Sequence, residues 1–222
     1  MNAKNPNHPP LTFYTANTPN GLKVSLYLHE AGLEHRQVNV DLSAGEQKQP
    51  AFLSLNPNGK IPVIVDHERD LTVFESGAIL TYLATKTGVL QPTTQAKAIA
   101  VNQWLHFQIG GIGPMLGQLW WFLHGSKTRN AEAIERYRKE SLRLIGVVDV
   151  KLARSAYLAT DEYSIADIAA FAWLRTHYEL DLDLTPFPDV RQWLTDIEAR
   201  PAVQKAIAAN RGASETTEAQ EA

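Results

Sequence analysis

The chain of 222 residues contains no cysteine. That absence excludes disulfide staples and zinc–thiolate sites. It also excludes a cysteine nucleophile and a CxxC redox pair. Any thiol chemistry at this protein needs a thiol brought in from outside. An excess of positive charge is missing too: 21 Lys and Arg stand against 24 Asp and Glu, a formal net charge of −3. A mildly acidic surface attracts neither nucleic acid nor anionic membranes, so neither is an expected partner. No apolar run approaches the roughly 20 residues that span a bilayer. The opening segment MNAKNPNHPP is polar and proline-rich, with no apolar stretch like that of a signal peptide. Residues 1–10 read as a flexible lead-in, and a cytoplasmic location is expected. The seven histidines are scattered without metal-ligand spacing, and no metal is expected.

What is present is an ordinary globular composition, 44% hydrophobic and 20% charged. Leu11–Thr15 alternates and reads as a strand, followed by the turn cluster Asn17–Gly21 and a helix to about Ala31. His35–Asp41 reads as a second strand, which makes a strand–helix–strand unit with a parallel pair. Gly45–Leu55 is helix-compatible and ends in the turn Asn56-Pro-Asn-Gly59. Ile61–Asp66 and Leu71–Phe74 read as a hairpin, and Ser76–Lys86 as an amphipathic helix with Gly88 at its end. This order, βαβ-α-ββα, predicts a thioredoxin-like α/β domain over residues 11–90. After Gln91-Pro92 the strand signals stop. Helical patterns cover Thr93–Leu123, Asn130–Leu158, Ile165–Leu174, Pro188–Ala199 and Pro201–Ala209. Residues 91–210 therefore read as an all-helical domain, and 211–222 as a disordered tail. Gly110–Pro114 must kink or break the first helix. Ser164 with Asp167 has the spacing of a capping box.

Three local features carry candidate chemistry. Pro62 opens a strand and cannot donate a ladder bond. A cis Ile61-Pro62 bond would turn the Ile61 backbone outward to pair with an extended peptide. Only about 5–6% of X-Pro bonds are cis, so an edge-strand trans proline is the plainer local reading. Ser76 is a natural N-cap, and a helix N-terminus attracts a carboxylate, while Glu75 suits an ammonium. Taken alone, simple capping is the better reading of that pair. Thr18 and Asn20 lie between the first strand and the first helix. A thiolate there would feel the helix dipole, and both side chains can donate to sulfur. Local capping is again the alternative. Tyr14, inside the first strand, reads as core packing.

The order of these features, with the wording around them, resembles the cytosolic glutathione transferases. The resemblance runs from Leu11 to about Ala209. It is strongest to the Nu class of bacterial enzymes, related to the yeast nitrogen-regulator prion. Thr-Pro-Asn-Gly (18–21), Asn-Gly-Lys-Ile-Pro (58–62), Phe-Glu-Ser-Gly-Ala-Ile-Leu (74–80) and Tyr-Ser-Ile-Ala-Asp-Ile-Ala (163–169) carry it.

The resemblance implies glutathione as co-substrate. Ile61, before a cis Pro62, would pair with its cysteinyl backbone, and Glu75 and Ser76 would hold its γ-glutamyl end. Gln47 and Lys60 would reach its glycine end. Thr18 and Asn20 would face the sulfur as the catalytic pair. Arg136 would close over the site, although its spacing from Glu132 and Glu140 also suits a surface ion pair. The implied activity is glutathione-dependent disulfide reduction, with a small disulfide, peroxide or electrophile as second substrate, in a homodimer. The alternatives are a conventional conjugating transferase and a non-catalytic scaffold of the same fold.

Overall fold

The computed structural model describes residues 9–218. The chain divides into two compact units. Residues up to Thr87 join those from Pro201 in one unit, and Gly88–Arg200 form the other.

The first unit is built on a four-stranded sheet of order β2-β1-β3-β4. Its strands are β1 (Leu11–Thr15), β2 (His35–Asn39), β3 (Val63–Asp66) and β4 (Leu71–Phe74). β1 and β2 run parallel, as the helix between them requires, whereas β1–β3 and β3–β4 are antiparallel. The expected βαβ unit and hairpin are both present. β3 starts two residues later than the sequence pattern suggests, so Ile61 and Pro62 lie outside its ladder. The helix α1 (Pro19–Glu30) follows β1, and every residue from Gly21 to Leu28 is buried. The stretch expected as one helix over 45–55 is instead a single 3-10 turn, Glu46–Lys48, and the short α2 (Pro50–Leu53). Pro50 explains the division, because it has no N–H to continue the first turn. α3 (Ser76–Thr87) completes the expected order.

α9 (Pro201–Glu218) corrects the sequence reading twice. It belongs to the first unit, not to the helical one, and packs along α1 with Val203 and Ala206 fully buried. It also remains helical through residues 211–218, where disorder is expected from composition. Once the docked first turns nucleate a helix, each added residue gains a bond without a second nucleation step. Residues 1–8, most of the expected lead-in, and 219–222 lie outside the described residues.

The second unit is helical, as expected. α4 (Gln95–Phe107) does not break at Gly110–Pro114. It passes through a wide turn at Gln108–Ile112, with the Gly113 N–H donating to the Gln108 carbonyl, into α5 (Gly113–Trp120). Pro114 falls in the first turn of α5, where its missing N–H has no partner to lose. A second wide turn covers Trp121–Gly125. α6 (Ala131–Leu152) is capped by Asn130, whose side chain accepts from the Ala133 N–H at 3.0 Å. It ends six residues before the sequence pattern suggests, because Ser155 Oγ folds the chain back through bonds to the Tyr157 and Thr160 carbonyls. α7 (Ile165–Leu174) is buried at nearly every position and is the centre of this unit, and α8 (Pro188–Glu198) packs beside it.

Candidate functional site

The strand registers gather the expected residues of the first unit at one end of the sheet. Tyr14 pairs with Val63, and Val63 pairs with Phe74. The exit of β1, the entry of β3 and the exit of β4 are therefore neighbours. Thr18 and Asn20 follow the first, Ile61 and Pro62 precede the second, and Glu75 and Ser76 follow the third. β2 ends at the same edge, where the Val40 N–H donates to the Thr15 carbonyl at 2.8 Å.

Each segment is held locally by its own sequence. Thr18 caps α1, its hydroxyl oxygen accepting from the Gly21 N–H at 3.1 Å. That hydroxyl still carries its own proton to donate. Asn20 lies in the first turn of the same helix, half-buried. Gly21 is required there: a Cβ would sit 2.4 Å from Thr15 Oγ1 and 2.5 Å from the Ala16 carbonyl oxygen. Asn17 is buttressed by Asn210 of α9 through a 2.8 Å bond. The loop after β2 is shaped by Asp41, whose carboxylate accepts from the Ser43 hydroxyl and from the Ser43 and Ala44 N–H groups at 2.7–2.9 Å. Those bonds, the Ser43 hydroxyl first, hold Asp41 below the usual carboxylate range. The loop delivers Gln47, whose backbone oxygen would lie 2.9 Å from a Cβ at Gly59. Gln47 and Lys60 are thereby brought to adjoining backbone.

The Ile61-Pro62 bond is cis. Ile61 anchors its side chain on the small core of Val40, Phe52 and Val63, where Tyr14 and Leu55 also pack. Tyr14 thus packs in the core as expected, edge-on to Phe52 at 6.2 Å. The turn before Ile61 depends on buried Asn56, whose amide donates to the Lys60 carbonyl at 2.6 Å and whose oxygen accepts from the Asn58 N–H at 3.0 Å. Sequence reasoning marks this turn but not the residue that holds it.

Two findings change the Glu75-Ser76 end. Ser76 is not the cap of α3 but its first residue. Glu75 holds the cap position, with the Ile79 N–H bonded to its carbonyl at 2.9 Å. Glu75 is exposed and takes a left-handed backbone with φ of 69°. That conformation costs a non-glycine residue about 1–2 kcal/mol, and such outliers concentrate at functional sites. The second finding is Lys23, which the sequence reading passes over. It is 2% exposed, and its ammonium donates to Ser76 Oγ at 3.2 Å. Burial drives its pKa down to about 7, against the opposing pull of the Glu75 carboxylate.

Arg136 lies on α6 in the second unit and is exposed. The Glu140 carboxylate, one of the two partners of the alternative ion-pair reading, is engaged by Arg143 instead, at 2.6 and 2.8 Å, with Arg136 contributing only through its charge. Among the described residues no group of three His, Asp or Glu could hold a metal ion, and no helix is long and apolar enough to cross a membrane.

Comparison with known proteins fits this geometry. The model of the glutathione S-transferase N-terminal domain matches residues 9–85, and that of the C-terminal domain matches residues 112–201. Disulfide-bond oxidoreductase YfcG of Escherichia coli is 44% identical over 202 residues, which cover 89% of this chain and 94% of the relative. The transcriptional regulator URE2 of Saccharomyces cerevisiae is 33% identical, over 89% of this chain and 68% of the relative. Among solved structures, a glutathione transferase from Pseudomonas putida with one glutathione disulfide bound per subunit is 40% identical, with a TM-score of 0.83. It covers 92% of this chain and 93% of that one. A glutathione transferase from Burkholderia graminis with two glutathione molecules per subunit is 41% identical, with a TM-score of 0.84, over 92% and 89% of the two chains.

Proposed function

The chain belongs to the glutathione S-transferase family, and on that premise we propose that it is an enzyme that binds glutathione at the sheet end described above and uses its thiolate to reduce disulfides. The observation that carries the reading is the gathering of Thr18, Asn20, Ile61, Pro62, Glu75 and Ser76 at one edge by strand register. The Ile61 backbone, outside the β3 ladder, pairs with the cysteinyl residue as an added strand. Ser76 and the first N–H groups of α3 hold the γ-glutamyl carboxylate, and Glu75 its ammonium. Gln47 and Lys60 meet the glycine end. The sulfur then lies at the N-terminus of α1, where the helix dipole with Thr18 and Asn20 favours the thiolate.

With no cysteine in the chain, the reaction runs on ligand sulfur alone. The glutathione thiolate attacks one sulfur of a small disulfide, forming a mixed disulfide and releasing the other half as thiolate. A second glutathione thiolate attacks the glutathione sulfur of that mixed disulfide. The products are glutathione disulfide and the second half as thiolate. Similar structures that hold two glutathiones or one glutathione disulfide per subunit support this reading, which needs room for two glutathiones. Peroxide reduction and conjugation draw on the same thiolate, and homodimer assembly in the cytoplasm is in keeping with the family.

The test compares turnover of a small mixed disulfide with that of an aryl halide, at equal glutathione. We expect the disulfide to be reduced faster. Measurable conjugation with no disulfide turnover would overturn the reductase assignment.

A separate expectation concerns Glu75. Glu75→Gly removes the carboxylate but relieves the left-handed backbone. It is expected to leave thermal stability equal or higher, and to weaken glutathione binding about tenfold in calorimetry. Normal affinity in that variant would remove Glu75 from the site.

A further inference from the structure

We propose that Lys23 is a positioning residue that sets the polarity of the Ser76 hydroxyl and so selects an anionic group at the N-terminus of α3. The inference rests on the glutathione reading above and deepens it at one end of the ligand.

The geometry is specific. Lys23 projects from a wholly buried stretch of α1 and reaches Ser76 Oγ at 3.2 Å. In its charged form, which a carboxylate seated beside it favours, Lys23 has only donors, so Ser76 is then the acceptor in that bond. A hydroxyl has one proton. With Lys23 occupying a lone pair of the oxygen, the proton turns towards an acceptor elsewhere. Ser76 is also the first residue of α3, where N–H groups without intrahelical partners face outward. Hydroxyl proton, amide protons and buried ammonium therefore present one sign of charge at one point. A carboxylate matches all three, whereas an ammonium matches none.

The Glu75 carboxylate opposes the effect of burial on Lys23, yet its side chain is exposed and only partly offsets that desolvation. A ligand carboxylate seated on Ser76 supplies the counter-charge that the buried lysine lacks. This divides the two ends of an α-amino acid between neighbouring residues. The carboxylate goes to Ser76 backed by Lys23, and the ammonium goes to Glu75.

A purely structural lysine would affect every ligand of the site alike, and the test is built on that difference. Glutathione is compared with 4-aminobutanoyl-cysteinylglycine, which keeps the amine, the thiol and the glycine but lacks the γ-glutamyl carboxylate. Binding is measured by calorimetry in wild type, Lys23→Met and Lys23→Gln, with melting temperatures recorded for each. Met fills the same buried volume without charge, so the fold is retained. Gln keeps a donor towards Ser76 if Met packs poorly.

Lys23→Met is expected to weaken glutathione about tenfold to a hundredfold, and to leave affinity for the analogue unchanged. Lys23→Gln is expected to fall between Met and wild type for glutathione alone. Unchanged glutathione affinity in Lys23→Met, or equal weakening of both ligands, overturns the role of Lys23 while leaving the glutathione site in place. Wild-type protein that binds no glutathione overturns the parent reading, and this inference with it.

Discussion

Asp167→Ala is expected to destabilise the folded protein by about 3–5 kcal/mol, measured by urea or thermal unfolding. The carboxylate is fully buried and closes the capping box of α7. One oxygen accepts from the Ser164 N–H at 3.1 Å and the Ser164 hydroxyl at 2.8 Å. The other accepts from the Leu158 N–H at 2.9 Å and Trp193 Nε1 at 3.3 Å. Alanine would leave these donors buried without an acceptor. It would also free the loop before α7 and the α8 tryptophan from their shared anchor. A loss under about 1 kcal/mol, the size of an ordinary exposed cap, would show that the network is dispensable.

The same carboxyl carries a pH signature. Burial pushes it up to about 6 from an ordinary 3.8, against the four donors that favour the anion. Between those values the folded state holds a proton that the unfolded state has released. Its stabilising contribution is thus complete below about 3.8 and is lost as pH rises through about 6. Asp167→Asn is expected to flatten that component of the stability–pH curve.

This capping box was fully legible in the sequence, because Ser-x-x-Asp before an apolar run is a local signal with a local cause. The βαβ unit, the hairpin and the centrality of α7 were legible for the same reason, since period and turn chemistry act over a few residues. Lys23 was not. Leu22-Lys-Val-Ser-Leu26 shows polar residues among apolar ones, as a half-solvated helix would. Burial of both polar residues requires α3 on one flank and α9 on another, and α9 arrives from nearly two hundred residues downstream. Chain order likewise assigned α9 to the helical domain, where proximity in sequence suggests it belongs. The Ser76 cap was misplaced by one residue, because capping propensity ranks residue types and does not register the left-handed turn at Glu75. At Gly110–Pro114 the glycines announced irregularity without its form. The wide turn keeps the helix path, and Gly113 fits where a Cβ would meet the buried Gln108 amide at 2.8 Å.

The remaining expectation concerns Asn20. Its place in the first turn of α1 puts an amide donor beside Thr18 and the helix N-terminus, the point assigned to the ligand sulfur. A donor to a thiolate stabilises it relative to the thiol, and the benefit appears in the reactive species more than in ground-state binding. Asn20→Ala is therefore expected to lower kcat for disulfide reduction about tenfold to a hundredfold, with KM for glutathione little changed. It should also move the pH–rate profile to higher pH, because the bound thiol loses one of the groups that depress its pKa. Asn20→Asp should be worse than alanine, since a carboxylate at the same place repels the thiolate. Thr18→Ala separates capping from catalysis. Its loss should lower stability by about 1 kcal/mol through the freed Gly21 N–H, and kcat only in proportion to its own share of the sulfur contact. Should Asn20→Ala keep wild-type kcat and an unshifted pH profile, thiolate stabilisation rests on the helix dipole and Thr18 alone. The amide would then be a component of the α1 entry turn.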